Sequence, residues 1–206
     1  MDNFFYKGQV WCNSLSYFLS CEDKTRRDKF EGINFFKPAD GLVLTNVRTQ
    51  EIQIIPAGLL STINPSQVFV FCASTEFNDY LYNKFHAKGC VEICDLEAFT
   101  RRIRSQIMHQ MPSIKNKTLL ADTVVYYDHS APPENRYAFP ELIVMSKTKY
   151  FEDEKEYRFA FSRDKNAFEQ NKIRYSITKN ILQSDNQIHF KEIKLGDLSD
   201  ICKIIR

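Results

Sequence analysis

Lys155-Glu156-Tyr157-Arg158-Phe159-Ala160-Phe161-Ser162 alternates without a break, with Tyr157, Phe159 and Phe161 on one side and Glu156, Arg158 and Ala160 on the other. Successive side chains of a strand point to opposite faces, so this period specifies a β-strand with an aromatic core face and a partly charged second face. Val68-Phe69-Val70-Phe71-Cys72 is a second strand-length run, apolar throughout, as expected of a central strand covered on both sides. Working outward, Gly8 to Asn13 reads as a first strand, and Asn13 or Ser14 caps a short helix through Phe18. Leu42 to Val47 and Glu51 to Ile55 read as a hairpin closed by Arg48-Thr49-Gln50 and ended by Pro56 and Gly58.

Phe77, Leu81 and Phe85 share one helix face up to the stop at Gly89, and Cys90 to Cys94 is a strand. Asp95 caps a helix whose Leu96, Phe99, Ile103 and Ile107 form one stripe. Further strands are expected over Leu119 to Tyr127, Ile173 to Ile177 and Ile188 to Leu195. A short helix is expected from Phe139 to Lys147, and a final helix carrying Leu198, Ile201 and Ile205. Strands outnumber helices and do not alternate with them strictly. The expected fold is therefore α+β: a single domain over residues 1–206, with a mixed, mostly antiparallel sheet flanked by helices.

Composition sets the bounds. With 206 residues, 43% hydrophobic and 26% charged, the chain is long enough to bury a core without disulfide or metal. Six glycines and seven prolines leave little room for flexible linkers. No apolar run reaches the roughly 18 residues of a membrane helix, and the N-terminal stretch has no signal-peptide pattern, so a cytoplasmic protein is expected. The six cysteines lack a framework and read as free, buried thiols. His86, Cys90 and Cys94 tempt as metal ligands. Cysteines four apart on a strand, however, lie roughly 13 Å from each other, too far to share one ion. No glycine-rich nucleotide loop and no Gly-x-Ser-x-Gly elbow occurs.

Two polar blocks stand out from these apolar patterns. Glu22-Asp23 with Arg26-Arg27-Asp28 and Glu31 reads either as a solvated, ion-paired helix or as an ordered loop folded back on the body. In the second, Glu154, Glu156 and Arg158 are expected on one strand face, about 6.6 Å between successive side chains. One account is a structural ion pair. The other is a strand presenting a carboxylate beside a guanidinium into a cleft, where burial tunes Glu156 for acid–base or hydroxyl-binding work. If Asp28, Glu31, Glu156 and Arg158 meet at one cleft, Glu156→Gln is expected to abolish activity at little loss of stability. Cations at Arg101, Arg102, Arg104, Lys115 and Lys117, and at Lys191, Lys194, Lys203 and Arg206, offer a rival: a nucleic-acid or protein-binding module.

The blocks Asp28-Lys29-Phe30-Glu31-Gly32, Phe71-Cys72-Ala73-Ser74 with Asn78 and Tyr82, and Gly89-Cys90-Val91-Glu92-Ile93 carry a resemblance, completed by Glu154-Lys155-Glu156-Tyr157-Arg158. Together they resemble a widespread bacterial family of uncharacterised proteins, a domain of unknown function with Asp-Pro-Phe-Glu-like and Glu-Lys-Glu-Tyr-Arg motifs. Lys29 stands where that family has proline, and Leu81 or Tyr80 where it has a helix tryptophan. The family's layout is remotely similar to the ADP-ribosyltransferases. The resemblance implies a transferase using NAD, acting as a toxin or in phage defence. Glu156 would be catalytic, binding ribose hydroxyls and stabilising an oxocarbenium-like transition state. Ser14 or Ser16 would take the second position, with Asp28, Glu31, Glu154 and Arg158 as binding residues; the early Arg or His of those enzymes has no clear counterpart. The implied partner is a small-molecule nucleotide.

Overall fold

The computed structural model describes residues 1–21, 23, 27–110, 119–164, 166–179 and 188–205. In chain order these form α1 (Asp2–Phe5), β1 (Gln9–Ser14), α2 (Leu15–Ser20), β2 (Ile33–Phe36), β3 (Leu42–Thr45), β4 (Ile52–Ile55) and β5 (Gly58–Thr62). Then come β6 (Val68–Ser74), α3 (Asp79–Lys84), β7 (Val91–Ile93), α4 (Leu96–Gln110), β8 (Leu120–Thr123) and β9 (Val125–Tyr127). The remainder holds α5 (Pro140–Val144), β10 (Ser146–Thr148), β11 (Glu156–Ser162), β12 (Arg174–Thr178), β13 (Phe190–Lys194) and β14 (Cys202–Ile204). Among the described residues no helix is long and apolar enough to cross a membrane.

The alternating stretch is β11, and the apolar run is β6, the middle strand of a five-stranded sheet ordered β13-β1-β6-β11-β8. Every pairing in that sheet is antiparallel. A three-stranded antiparallel sheet, β12-β5-β2, and two-stranded ladders complete an α+β fold; β9–β10 is parallel, β3–β4 and β7–β14 antiparallel.

Register divides the large sheet's chemistry. On one face Val10, Cys12, Phe69, Phe159, Phe161 and Ile193 pack against Phe99, Ile103 and Ile107 of α4. Phe99 meets Phe159 edge-on with ring centroids 5.5 Å apart, the arrangement favoured by ring quadrupoles. The other face is split along its length. Val68, Val70 and Ala160 join Leu15, Ile143 and Val144 in a second core, whereas the paired positions Cys72–Arg158 and Ser74–Glu156 are polar. β6 is thus buried on both sides only over its first half.

The structure corrects the expected final helix. Leu198 O accepts from both Ile201 N and Cys202 N, and the chain then runs as β14 along β7. One lone turn of helix is marginal, and pairing the open edge of Val91–Ile93 satisfies more backbone groups. Gly58 does not end a hairpin but starts β5, where a Cβ would lie 2.5 Å from the Phe35 ring. Glycine there permits β2 and β5 to approach. Cys12 and Cys202 are buried as expected, but Cys72 and Cys94 are exposed.

Phe159, 1% exposed and ringed by Phe71, Phe99 and Tyr157, is central to the α4 face. Phe159→Ala should lower stability by about 3–5 kcal/mol in urea titration, the loss of a buried ring plus the cavity left behind. A loss under about 1 kcal/mol would show that α4 does not pack on this face.

Candidate functional site

Arg158 projects from β11 on the split face and is only 1% exposed. A guanidinium taken out of water is tolerable only when paired and fully hydrogen-bonded. Its Nη2 and Nη1 donate to Glu31 Oε1 and Oε2 at 2.9 and 3.1 Å, a two-pronged pairing, and Nη1 also donates to Val144 O at 2.6 Å. Its Nε donates to Glu156 Oε1 at 2.6 Å. The second oxygen of Glu156 accepts from Lys147 Nζ at 3.0 Å, and Lys147 also donates to Glu154 Oε2 at 2.6 Å. Lys84 Nζ lies 3.3 Å from the other Glu154 oxygen and binds Asp153, which accepts from Tyr80 OH at 2.6 Å. Acid and base thus alternate along one chain of contacts, Glu31–Arg158–Glu156–Lys147–Glu154–Lys84–Asp153.

Local backbone chemistry delivers each member. Asp28 Oδ1 accepts from Phe30 N at 2.8 Å, a turn built from the aspartate's own side chain, and Asp28 N donates to Phe18 O. Gly32 follows at φ +70, a conformation glycine adopts without strain, so Glu31 lies beneath Arg158 while β2 begins at Ile33. Lys147 is the middle residue of β10, packed with its Nζ 4.5 Å over the Phe151 ring. Glu154 is not on the strand face with Glu156, as expected from alternation. It ends a 3-10 turn, and Lys155, in the left-handed region at φ 47, redirects the chain so that both carboxylates reach Lys147.

The chain of charges walls a cleft of about 390 Å³, a volume typical of small-ligand sites. Glu31, Lys147, Glu154 and Glu156 line it on the polar side, and Trp11, Tyr17, Phe18 and Phe85 contribute aromatic surface. Trp11 is 52% exposed and packs against Phe190 with centroids 5.4 Å apart. Burial alone would raise the Glu156 pKa; the charges of Arg158 and Lys147, with hydrogen bonds from Arg158 and Cys72, outweigh it and hold the carboxylate at about 2. Cys72 also lines the cleft; desolvation, then the Glu156 charge, push its thiol pKa above the ordinary value.

The expected site residues are only partly brought together. Glu31, Glu154 and Glu156 line the cleft, and Arg158 sits behind them. Asp28 lines a different cavity. Ser14 and Ser16 are fully buried, their hydroxyls 2.8 Å apart with Ser14 Oγ accepting from His189 N, and register turns Ser14 to the sheet face opposite Glu156. Ser14 is engaged in holding β1 to the segment before β13 and does not reach the cleft. Glu156 is 5% exposed, so Glu156→Gln removes a buried charge and is not neutral for stability, contrary to the sequence expectation. Lys147 and Lys84 were missed; the one legible signal was a lysine at the end of the apolar run Ile143-Val144-Met145-Ser146-Lys147.

Of the cations considered for a nucleic-acid surface, Arg101 pairs with Glu97, Arg102 with Asp200, and Lys194 lies 3.8 Å from Glu192. Lys115, Lys117 and Arg206 lie outside the described residues, as do Glu22 and Arg26.

Asp28 supplies a test of the cluster's electrostatics. Burial first, then the charge of Glu31, raise its pKa from 3.8 to about 7, against the Phe30 N–H bond, Lys147 and Arg158. A folded pKa above the unfolded value gives stability that is complete below about pH 4 and is lost as pH rises through about 7. Asp28→Asn removes that titration. Its stability relative to the parent protein should rise between pH 5 and pH 8 by roughly 2–3 kcal/mol in urea titrations, since each tenfold change in proton affinity on folding is worth ~1.4 kcal/mol. A pH-independent difference would mean that Asp28 ionises normally. No protein-family model, curated protein or solved structure matches this chain.

Proposed function

We propose that the cleft binds a nucleotide, NAD by the family resemblance, and that the chain is an ADP-ribosyltransferase-like enzyme with Glu156 as its catalytic carboxylate. One observation carries the reading. Glu156 is held ionised by Arg158 and Lys147 on the polar wall of a cleft with aromatic surface. Three of the four charged lining residues are carboxylates, and the only lysine among them is committed to Glu154 and Glu156. Such a wall accepts hydrogen bonds from hydroxyls and favours positive charge. The nicotinamide riboside end of NAD presents both, a flat cationic ring and two ribose hydroxyls, whereas its phosphates would face away from this wall.

In the reaction the C1′–N bond of that riboside breaks, and nicotinamide leaves neutral with the bonding pair. Positive charge spreads over C1′ and the ring oxygen until an acceptor nucleophile attacks. A fixed anion aimed at that developing charge stabilises the transition state without reorganising. Arg158 and Lys147 are positioning residues here: each occupies one oxygen of Glu156 and leaves lone pairs for the hydroxyls. A bacterial toxin or phage-defence setting follows from the resemblance and belongs to the same proposal. Pairing of Arg101 and Arg102, two of the three helix cations, favours this reading over a module that tracks a phosphate backbone.

The test separates binding from folding. NAD at ~100 times its Kd should raise the Tm by about 5–10 °C, the melting equivalent of a ligand-linked gain near 2.7 kcal/mol. Trp11→Ala and Asn13→Ala, at partly exposed positions in the cleft, should abolish that shift while changing the ligand-free stability by less than about 1 kcal/mol. Nicotinamide release should be lost in Glu156→Gln that is shown to be folded. No shift at millimolar NAD, or an unchanged shift in both cleft variants, sinks the proposal.

A further inference from the structure

A second cavity, of about 590 Å³, has the opposite electrostatic character. Its wall carries three cations, Arg27, Lys29 and Lys149, and none of them forms an ion pair within 4.0 Å among the described residues. The opposing carboxylates are Asp128 and Asp28. Asp128 stays ionised: its Oδ1 accepts from Ser130 N and Oγ at 2.8 and 2.7 Å, and the nearby Lys149 charge also lowers its pKa. Asp28 is 2% exposed; its Oδ1 accepts from Phe30 N, and its Oδ2 is buried with no partner among the described residues. Arg27 Nε is likewise buried and has no partner among the described residues. Beneath the cavity wall there is thus an acceptor and a donor with no partner among the described residues, and a buried polar group without a partner is uncommon enough to require a reason.

The apolar part of the wall is flat. The Phe30 and His129 rings lie with centroids 4.2 Å apart, and Tyr150 is 83% exposed at the same cavity. His129 Nδ1 is 3.1 Å from Phe35 O, which can only accept, so Nδ1 carries the hydrogen and Nε2 is left as an acceptor. Burial also lowers the His129 pKa, which keeps the ring neutral.

We propose that this cavity is a nucleotide site, distinct from the Glu156 cleft, in which Tyr150 and the Phe30–His129 pair stack a base and Lys29 and Lys149 hold its phosphates. Stacking against aromatic side chains accepts any base, and ammonium groups supply charge-assisted bonds to phosphate oxygens. The site stands whether or not the first cleft takes NAD.

Calorimetric titration at low salt with ADP, adenosine and inorganic pyrophosphate tests it. ADP should bind at least about tenfold more tightly than adenosine, and the difference should shrink as salt screens the lysines. Both lysines are exposed, so Lys29→Glu with Lys149→Glu should fold with an unchanged melting curve. That double variant should weaken ADP by at least about tenfold while altering adenosine less than about twofold. Trp11→Ala should leave ADP binding unchanged. Equal affinity for ADP and adenosine overturns the proposal, as does indifference to the charge reversal. Loss of ADP binding in Trp11→Ala would move the nucleotide to the first cleft. A 5′-phosphorylated oligoribonucleotide presents the same chemistry; if it binds about tenfold more tightly than ADP, the site belongs to RNA ends and the small-molecule assignment fails.

Discussion

One buried guanidinium organises this protein. Arg158 is among the largest side chains removed from water, and it sits on a strand that pairs on both sides in the main sheet. Such a charge cannot be left unpaired, because losing one partner of a buried ion pair is worth about 3–5 kcal/mol. Two carboxylates and a carbonyl answer it, from three separate parts of the chain: Glu31 in the loop before β2, Glu156 on the same strand, and Val144 at the end of α5. The docking of that loop and of α5 on the sheet is thus tied to a single side chain. Lys147 and Lys84 then extend the alternation outward, so that each carboxylate between them touches two cations.

The split face of the sheet explains why a cleft forms there. Where β6 carries Val68 and Val70, α2 and α5 cover it with an apolar core. Two residues further, Cys72 and Ser74 replace the valines, and their partners on β11 are Arg158 and Glu156. Helices packing by apolar contact cannot continue across such positions, and the space is walled instead by the ion chain and by aromatic side chains from β1 and α2. The opposite face has no such break, and α4 lies along it. One face of the sheet is thus apolar along its length, and the other turns polar beyond Val70.

Much of this was legible in the sequence where a periodic pattern carried it. The alternation from Glu156 to Ser162 fixed which side chains of β11 face the core, and the stripe of Phe99, Ile103 and Ile107 placed α4. The pairing of Glu31 with Arg158 was foreshadowed by two polar blocks set among apolar strands. What stayed hidden depends on tertiary contacts. The path after Leu198 is decided by the open edge of β7, which no local propensity encodes. The left-handed Lys155 breaks the alternation and sets Glu154 in the 3-10 turn before the strand. Ser14 is separated from Glu156 by register, and a single step of register reverses the face of every side chain. Lys147 gave the weakest signal, because a lysine beside an apolar run reads as a solvated end until its carboxylates are known.

The ion chain is the element on which loop docking, the cleft wall and the state of Glu156 all rest. A double-mutant cycle between Glu31→Gln and Arg158→Met, read by chemical denaturation, isolates its innermost link. A coupling energy of about 2 kcal/mol or more between the two positions is the predicted result, as for buried, doubly hydrogen-bonded charges in direct contact. Additivity within about 0.5 kcal/mol would contradict it, and would mean that Glu31 and Arg158 are accommodated independently of each other.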